Sequence, residues 1–185
     1  KSTPPARAAA MFALASLHFA QLALLLAHLF FLAPAVVDIE GHADQAAPAL
    51  ADEADKVERA AVVIFTSDRG LAGAFNSQVL REAEELSELL REEGKDVVYY
   101  LIGRKAQGYF SFRRRASERV WTGDTENPGF ETGSEVAEAL LEVFSRPAAE
   151  GGAQEIHLVY NRLVSMVSQV PQVHRLLPLQ IVEGV

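Results

Sequence analysis

The 185 residues suffice for one ordinary domain, or for one domain plus an appendage, and 17 basic against 25 acidic side chains leave a formal net charge of −8. This acidic balance argues against a general nucleic-acid binder, because such proteins gain affinity by neutralising phosphates. The absence of cysteine excludes disulfide scaffolds, thiol catalysis and cysteine-ligated metal sites.

The chain begins with an uncharged stretch, residues 8–37, in which alanine, leucine and phenylalanine dominate. Alanine and leucine favour helices and Pro34 suits a helix end, so residues 1–37 are predicted to form one long helix. A helix that is apolar nearly all round must be buried, either as a membrane span of about 20 residues or inside a sheath of partner subunits. The acidic residues that follow, 38–57, predict a solvated linker.

Residues 58–185 predict an α/β domain. The run RAAVVIFT at 59–66 is apolar and rich in β-branched residues, as expected of a strand buried on both faces. A helix follows, with apolar residues every three or four positions from Phe75 to Leu90, and Gly94 is placed to end it.

The later elements continue the alternation of strands and helices. They are a strand at 96–102, a short helix at 104–112, a weaker strand near 118–122, a helix at 133–146, a strand at 155–160 and two strand-like stretches within 161–182. This spacing predicts a parallel sheet with crossover helices.

The turn between the first strand and its helix, SDRGLAGAFN at 67–76, lies where doubly wound folds bind phosphates. Its glycine spacing fits neither common phosphate-binding motif, and no lysine opens the helix. We therefore favour a structural turn with glycine backbone freedom over nucleotide binding, and a local ion pair or cap over catalysis for its Asp-Arg pair. The residues singled out here are Ser67, Asp68, Arg69, Gly70, Gly73 and Asn76.

A basic cluster with aromatic neighbours lies farther along the chain. Such interleaving can bind single-stranded nucleic acid, but in an acidic chain we favour a helix end whose positive charges complement the helix dipole. The cluster comprises Arg113, Arg114, Arg115 and Arg119, and its first three members, together with Arg104 and Lys105, are candidate contacts to a protein partner. His157 alternates within a strand and is predicted to pack in the core, and we expect no metal site, cofactor or catalytic residue.

Three segments carry a resemblance to a known family. TSDRGLAGAFNSQV at 66–79 resembles the signature of the gamma subunit of F-type ATP synthases, in which a strand ends in T/S-S-D-R-G-L-C/A-G-A-F/Y-N. LREEGKDVVYYLIGRKAQGYFSFR at 90–113 resembles the second strand of that family and its G-R-K element, and IHLVYNRLVSMVSQVPQVHRLLPL at 156–179 resembles the stretch that leads to L-L-P-L. The resemblance covers about 58–182 and is strongest to gamma subunits of high-GC Gram-positive bacteria.

The resemblance implies a small Rossmann-like α/β domain held between two long terminal helices that form a rotor shaft. It implies a central-stalk subunit that transmits torque between the membrane c-ring and the catalytic subunits during ATP synthesis and is not an enzyme by itself. The implied partners are the alpha and beta subunits around the N-terminal helix and the epsilon subunit and c-ring at the α/β domain. The implied location is the cytoplasmic face of the bacterial plasma membrane, reached through the complex.

Two features depart from that family. Residues 1–16 are largely apolar where the family is basic and polar, and these 185 residues contain no counterpart of its long C-terminal helix. A protein-sheathed N-terminal helix is favoured, because this segment forms the shaft in the family. The alternative is a free-standing nucleotide-binding α/β protein with an N-terminal membrane anchor.

Overall fold

The computed structural model describes residues 56–69, 74–123, 125, 129–165 and 168–179. The predicted N-terminal helix, most of the predicted linker, Gly70 and Gly73 lie outside these residues. The described elements, in chain order, are β1 (Arg59–Phe65), α1 (Phe75–Glu92), β2 (Asp96–Ile102), α2 (Arg104–Phe112), β3 (Arg119–Trp121), α3 (Phe130–Ser145), a short 3₁₀ helix (Ala148–Glu150), β4 (Glu155–Ser165) and β5 (Ser168–Leu177).

These strands form one mixed sheet in the order β3-β2-β1-β4-β5. The first four strands run parallel, whereas β5 runs antiparallel to β4. The predicted parallel sheet is therefore corrected at its last strand, which is antiparallel. Only residues 166–167 separate β4 from β5, and a parallel connection needs a crossover of a dozen or more residues.

The central strand β1 explains why its sequence is an uninterrupted apolar run. Ala61, Val63 and Phe65 pack on the face covered by α3, while Val62 and Ile64 pack on the opposite face under α1 and α2. All of these side chains are at most 1% exposed. Burial on both faces removes the polar alternation that a one-sided strand would show.

Helix α1 ends as its sequence predicts. Gly94 adopts a φ of +82°, its N–H donates to the carbonyl of Arg91, and the N–H of Lys95 donates to the carbonyl of Leu90. Only glycine enters this left-handed conformation without a steric penalty, so the helix stops there and the chain turns into β2.

Two predicted boundaries move. Helix α3 begins at Phe130 rather than 133. The sequence did not indicate this first turn because its residues show no apolar periodicity, although Gly133 within it is buried. Strand β4 continues past 160 to Ser165, because β5 supplies a hydrogen-bonding partner after β1 has ended. In the part of the chain that the structure describes, no helix has the length and apolar character needed to span a membrane.

Candidate functional site

The carboxyl ends of β1, β2 and β3 meet at one edge of the sheet, and the predicted turn begins there. Thr66, directly after β1, donates its hydroxyl to the carbonyl oxygen of Ile102 at 2.9 Å and accepts the N–H of Ala106 at 2.9 Å. Thr66 thereby ties the end of β1 to the start of α2. The intervening Gly103 has a φ of +93°, and a Cβ there would lie 2.1 Å from the carbonyl oxygen of Thr66, so only glycine allows this approach.

Asp68 is the centre of a second set of hydrogen bonds at this edge. Its Oδ1 accepts the backbone N–H of Arg104 at 3.0 Å. Its Oδ2 accepts the N–H of Gly123 at 2.8 Å, the N–H of Thr125 at 3.1 Å and the Thr125 hydroxyl at 2.8 Å. The backbone N–H of Asp68 in turn donates to the Thr125 hydroxyl oxygen at 2.9 Å. One carboxylate thus joins the chain segments that follow three neighbouring strands.

The electrostatics of Asp68 suit a structural link. Burial acts to raise the pKa of its carboxyl, but hydrogen bonds from Thr125, Arg104 and Gly123 outweigh burial and hold the pKa below its ordinary value. A general acid or base at neutral pH needs the opposite shift and an accessible proton site, whereas the Asp68 side chain is 7% exposed.

Ser67 and Asn76 bracket the glycine turn. The Asn76 side chain accepts the Ser67 backbone N–H at 2.9 Å and donates to the Ser67 hydroxyl oxygen at 2.9 Å. That hydroxyl donates to the carbonyl oxygen of Arg69 at 2.8 Å. Both ends of the turn are therefore held by side chains of the motif, and the Ser67 hydroxyl is directed at a carbonyl rather than at a catalytic base.

Sequence reasoning missed several members of this network. Thr125 and Gly123 lie 57 and 55 positions from Asp68, and Thr125 is 3% exposed in a loop without a recognisable pattern. The sequence pattern places Thr66 in the first strand and Gly103 at the end of the next one. Gly103 directly follows a predicted strand, and Thr66 ends one, so both positions could have been singled out from the sequence. No local signal marks Thr125.

The basic cluster is partly engaged within the domain. Arg115 pairs with Glu84 of α1, and its guanidinium also lies 5.4 Å from the ring centroids of Tyr99 and Phe110. Two further arginines lie over rings: Arg113 over Tyr109 at 3.7 Å and Arg119 over Trp121 at 5.9 Å. Arg104 and Lys105 lie at the opposite end of α2, with the Arg104 side chain 65% exposed. The structure therefore separates the candidate partner contacts into two groups.

A second buried polar group lies at the amino ends of β2 and β4. Lys95 Nζ is 2.8 Å from Glu155 Oε2, and His157 Nε2 is 3.1 Å from the same oxygen. Burial lowers the pKa of His157, and the nearby Glu155 only partly offsets this. Burial would raise the pKa of Glu155, but its hydrogen bonds to Lys95 and His157 lower it below its ordinary value. His157 is buried, and this ion pairing anchors the starts of two strands.

Comparison with known sequences gives the family. The sequence profile of the family described as ATP synthase matches residues 6–184. The chain is 68% identical over 136 residues to the ATP synthase gamma chain of Leifsonia xyli subsp. xyli and 65% identical over 136 residues to that of Clavibacter michiganensis subsp. michiganensis. Each alignment covers 74% of this chain and 46% of the relative. The chain therefore belongs to the ATP synthase family.

Within that family its similarity is to gamma chains of high-GC Gram-positive bacteria, which confirms the resemblance carried by the 66–79 motif. The chain spans about half the length of the curated relatives that it matches. Among solved structures, the cryo-EM structure of the central stalk and c-ring of Tetrahymena thermophila mitochondrial ATP synthase contains a similar chain, with a TM-score of 0.51. The two chains are 18% identical, and the match covers 96% of this chain and 80% of that one, so it supports the fold.

Proposed function

We propose that this chain acts in the central stalk of a proton-transporting F-type ATP synthase, as a non-catalytic rotor subunit that transmits torque during ATP synthesis. The match of residues 6–184 to the ATP synthase family and the 68% identity to a gamma chain support this function. They do not favour the alternative of a free-standing nucleotide-binding protein with a membrane anchor.

The observation that carries the proposal is that the Asp68 carboxylate of the 66–79 motif serves as a structural hydrogen-bond acceptor. Asp68 accepts hydrogen bonds from Arg104, Gly123 and Thr125, and so binds the ends of three strands into one unit. A domain that bears torque gains from such internal links, because they oppose relative movement of the segments. We assign Ser67, Asp68 and Asn76 this structural role, together with the turn that they enclose.

The proposal includes the partners implied by the family. Residues 1–37 would lie against the alpha and beta subunits, and the α/β domain would contact the epsilon subunit and the c-ring at the cytoplasmic face of the plasma membrane. The similar Tetrahymena chain belongs to a structure of the central stalk and c-ring, which supports this assignment. Arg104 and Lys105 remain candidate contacts, since exposed charges tune association more than folding.

A chimeric gamma chain tests this function. Residues 58–179 of this chain would replace the matching segment in the Leifsonia xyli gamma chain, and the complete ATP synthase would be reconstituted in vesicles. We expect ATP synthesis driven by a proton gradient at a rate close to that of the parent enzyme. The parent complex and a complex that lacks the gamma chain provide the two reference levels.

Two results would contradict the proposal. One is a chimera that assembles fully but hydrolyses ATP without proton pumping. The other is ATP turnover by the purified 185-residue chain that disappears in Asp68→Asn, since a structural carboxylate should leave no such activity to lose.

A further inference from the structure

The chain between the end of α2 and the start of β3 is the most basic stretch of this acidic protein. Residues 113–119 hold four arginines against one glutamate, a formal charge of +3, whereas the whole chain has a net charge of −8. Ser117 lies inside this stretch, and arginines stand three and two positions before it. No other serine or threonine of the 185 residues has arginine at both of these positions. Arginine-directed serine kinases select their acceptors by such a charge pattern.

The structure leaves the Ser117 hydroxyl open to solvent. Helix α2 ends at Phe112 and β3 begins at Arg119, so Ser117 lies in a connection that is neither helix nor strand. Its side chain is partly exposed, and no described residue forms a hydrogen bond with the hydroxyl, whose oxygen is not buried. A kinase binds its acceptor in an extended segment, and a surface connection supplies one without unfolding a helix or strand.

The two arginines that precede Ser117 differ in how they are held. Arg114 is exposed. Arg115 pairs with Glu84 of α1 and lies 5.4 Å from the centroids of two aromatic rings, with 25% of its side chain exposed. Arg114 is therefore available to a kinase at once, whereas Arg115 becomes available only after it leaves Glu84.

We propose that Ser117 is a phosphorylation site for an arginine-directed serine kinase, and that the phosphate removes most of the positive charge of residues 113–119. The kinase transfers the γ-phosphoryl group of ATP to the Ser117 oxygen, so that a new O–P bond replaces the bond to ADP. The hydroxyl proton passes to the catalytic base of the kinase, and ADP leaves. A phosphoserine carries about two negative charges near neutral pH, so the stretch falls from +3 to about +1.

The phosphate would also act on the contact between this stretch and α1. Arg115 and Arg119 lie two positions before and after Ser117, and their side chains are long enough to reach a phosphate there. Arginine forms stronger hydrogen bonds with phosphate than neutral donors do, so the phosphate competes with Glu84 for Arg115. Arg104 and Lys105, at the opposite end of α2, keep their charges. Modification therefore changes one of the two groups of candidate partner contacts, which goes beyond the proposed function.

Phosphorylation of the full 185-residue chain tests the site. The probe is the catalytic subunit of cyclic-AMP-dependent protein kinase with ATP and Mg²⁺, and mass spectrometry of the intact chain counts the phosphates. We expect one phosphate, assigned to Ser117 by fragmentation, and none in Ser117→Ala. Ser111→Ala is the matched control, because Ser111 is exposed at the end of α2 but has no arginine in the three positions before it. Its loss should leave incorporation unchanged.

Two further variants test the roles of the arginines. Arg114→Gln should lower the initial rate of phosphorylation by about 10-fold or more, since it removes one charge-assisted contact to the kinase. Glu84→Gln releases Arg115 and should raise the rate by about 3-fold, while Glu88→Gln, an exposed position on the same helix, should leave it unchanged. Equal rates for the wild type and Arg114→Gln would overturn recognition through the arginines.

The state of the chain in a cell completes the test. The chain produced in Leifsonia xyli and purified with phosphatase inhibitors should carry phosphate on Ser117 in part of the molecules, and Ser117→Ala should carry none there. A folded chain that the probe kinase leaves unmodified at Ser117 would overturn the proposal. So would a chain that the probe modifies but that carries no phosphate on Ser117 in the cell, since the site would then have no kinase. Neither result would affect the proposed rotor function.

Discussion

The carboxyl and amino ends of the four parallel strands bury polar groups in different ways. At the carboxyl ends, Thr66 and Asp68 are satisfied chiefly by backbone N–H groups and by one hydroxyl. At the amino ends, Lys95, Glu155 and His157 satisfy one another as titratable side chains. The first arrangement depends on how closely backbone segments approach, whereas the second depends on protonation.

Because of this difference, the two ends should respond to different perturbations. A substitution that prevents the close approach of backbone segments should destabilise the carboxyl end at any pH. A change of pH near neutrality should act on the amino end, because the Asp68 carboxyl stays ionised there. Substitutions at the two ends, compared over a range of pH, therefore test whether the two ends differ in this way.

The largest effect is expected from Gly103→Ala. The added Cβ would lie 2.1 Å from the Thr66 carbonyl oxygen, and alanine would also have to adopt a φ of +93°. Together, the clash and the backbone strain should lower the free energy of unfolding by about 3–5 kcal/mol. Urea denaturation followed by circular dichroism measures this loss.

Gly108→Ala is the control for that substitution. Gly108 lies inside α2, and a Cβ there would meet nothing within 4 Å. Alanine is the better helix former, so stability should rise by about 0.5–1 kcal/mol. Equal losses from the two variants would show that close approach to Thr66 is not what requires glycine at 103.

Asp68→Asn should have the next largest effect. An amide can still accept with its oxygen, but its NH₂ group would face donors that the carboxylate now satisfies. We expect a loss of about 2–3 kcal/mol in the free energy of unfolding, since the affected groups are buried and charge-assisted hydrogen bonds are lost. Thr125→Val removes one donor to the Asp68 carboxylate and the acceptor of the Asp68 N–H, but leaves the other donors in place, so it should cost less than the change at Asp68 itself. A loss greater for Thr125→Val would place the centre of the network elsewhere.

How much of this could be read from the sequence depends on the range of the interactions. The apolar run of β1 and the cap at Gly94 have local causes, and the sequence predicts both. The antiparallel β5 required knowledge that β4 continues to Ser165, which its polar residues conceal. Thr125 lies 57 positions from Asp68 and carries no pattern of its own, so only the folded chain shows that these two side chains meet.

The basic cluster shows the same limit. The sequence gives no reason to distinguish the four arginines near this helix end. The prediction that their charges complement the helix dipole follows from their position alone. Folding makes Arg115 different from Arg114, because Glu84 comes from another helix and Tyr99 from a neighbouring strand. Which charges remain at the surface is thus a property of tertiary packing.

A pH dependence is the third expected effect. Glu155, Lys95 and Arg175 face His157, and burial holds its pKa below the ordinary 6.5. As the pH falls, His157 is therefore protonated in the unfolded chain before it is protonated in the folded one. The contribution of the neutral His157 to the free energy of unfolding is complete above pH 6.5 and decreases as the pH drops below it. The carboxyls of Asp68 and Glu155 also have lowered pKa values, and their contributions are lost only at more acidic pH.

Melting temperatures between about pH 7 and about pH 5 isolate the histidine. His157→Gln should make the melting temperature less dependent on pH in this window. His174→Gln is the matched control, because His174 lies on β5 and is exposed. An unchanged pH dependence in His157→Gln would show that this site does not govern acid sensitivity.

The smallest effect is expected from Asp96→Asn, the counterpart of the change at Asp68. Asp96 Oδ2 is 2.9 Å from Arg59 Nε, but the Asp96 side chain is 61% exposed and water replaces the lost contact. Solvent and salt screen such pairs, so the free energy of unfolding should fall by at most about 0.5 kcal/mol, and by less in about 0.5 M NaCl. The two substitutions are chemically identical, and each removes a carboxylate with a short polar contact. Their difference therefore measures what burial adds, and a loss at Asp96 as large as that at Asp68 would show that the saturated network contributes no more than a surface ion pair.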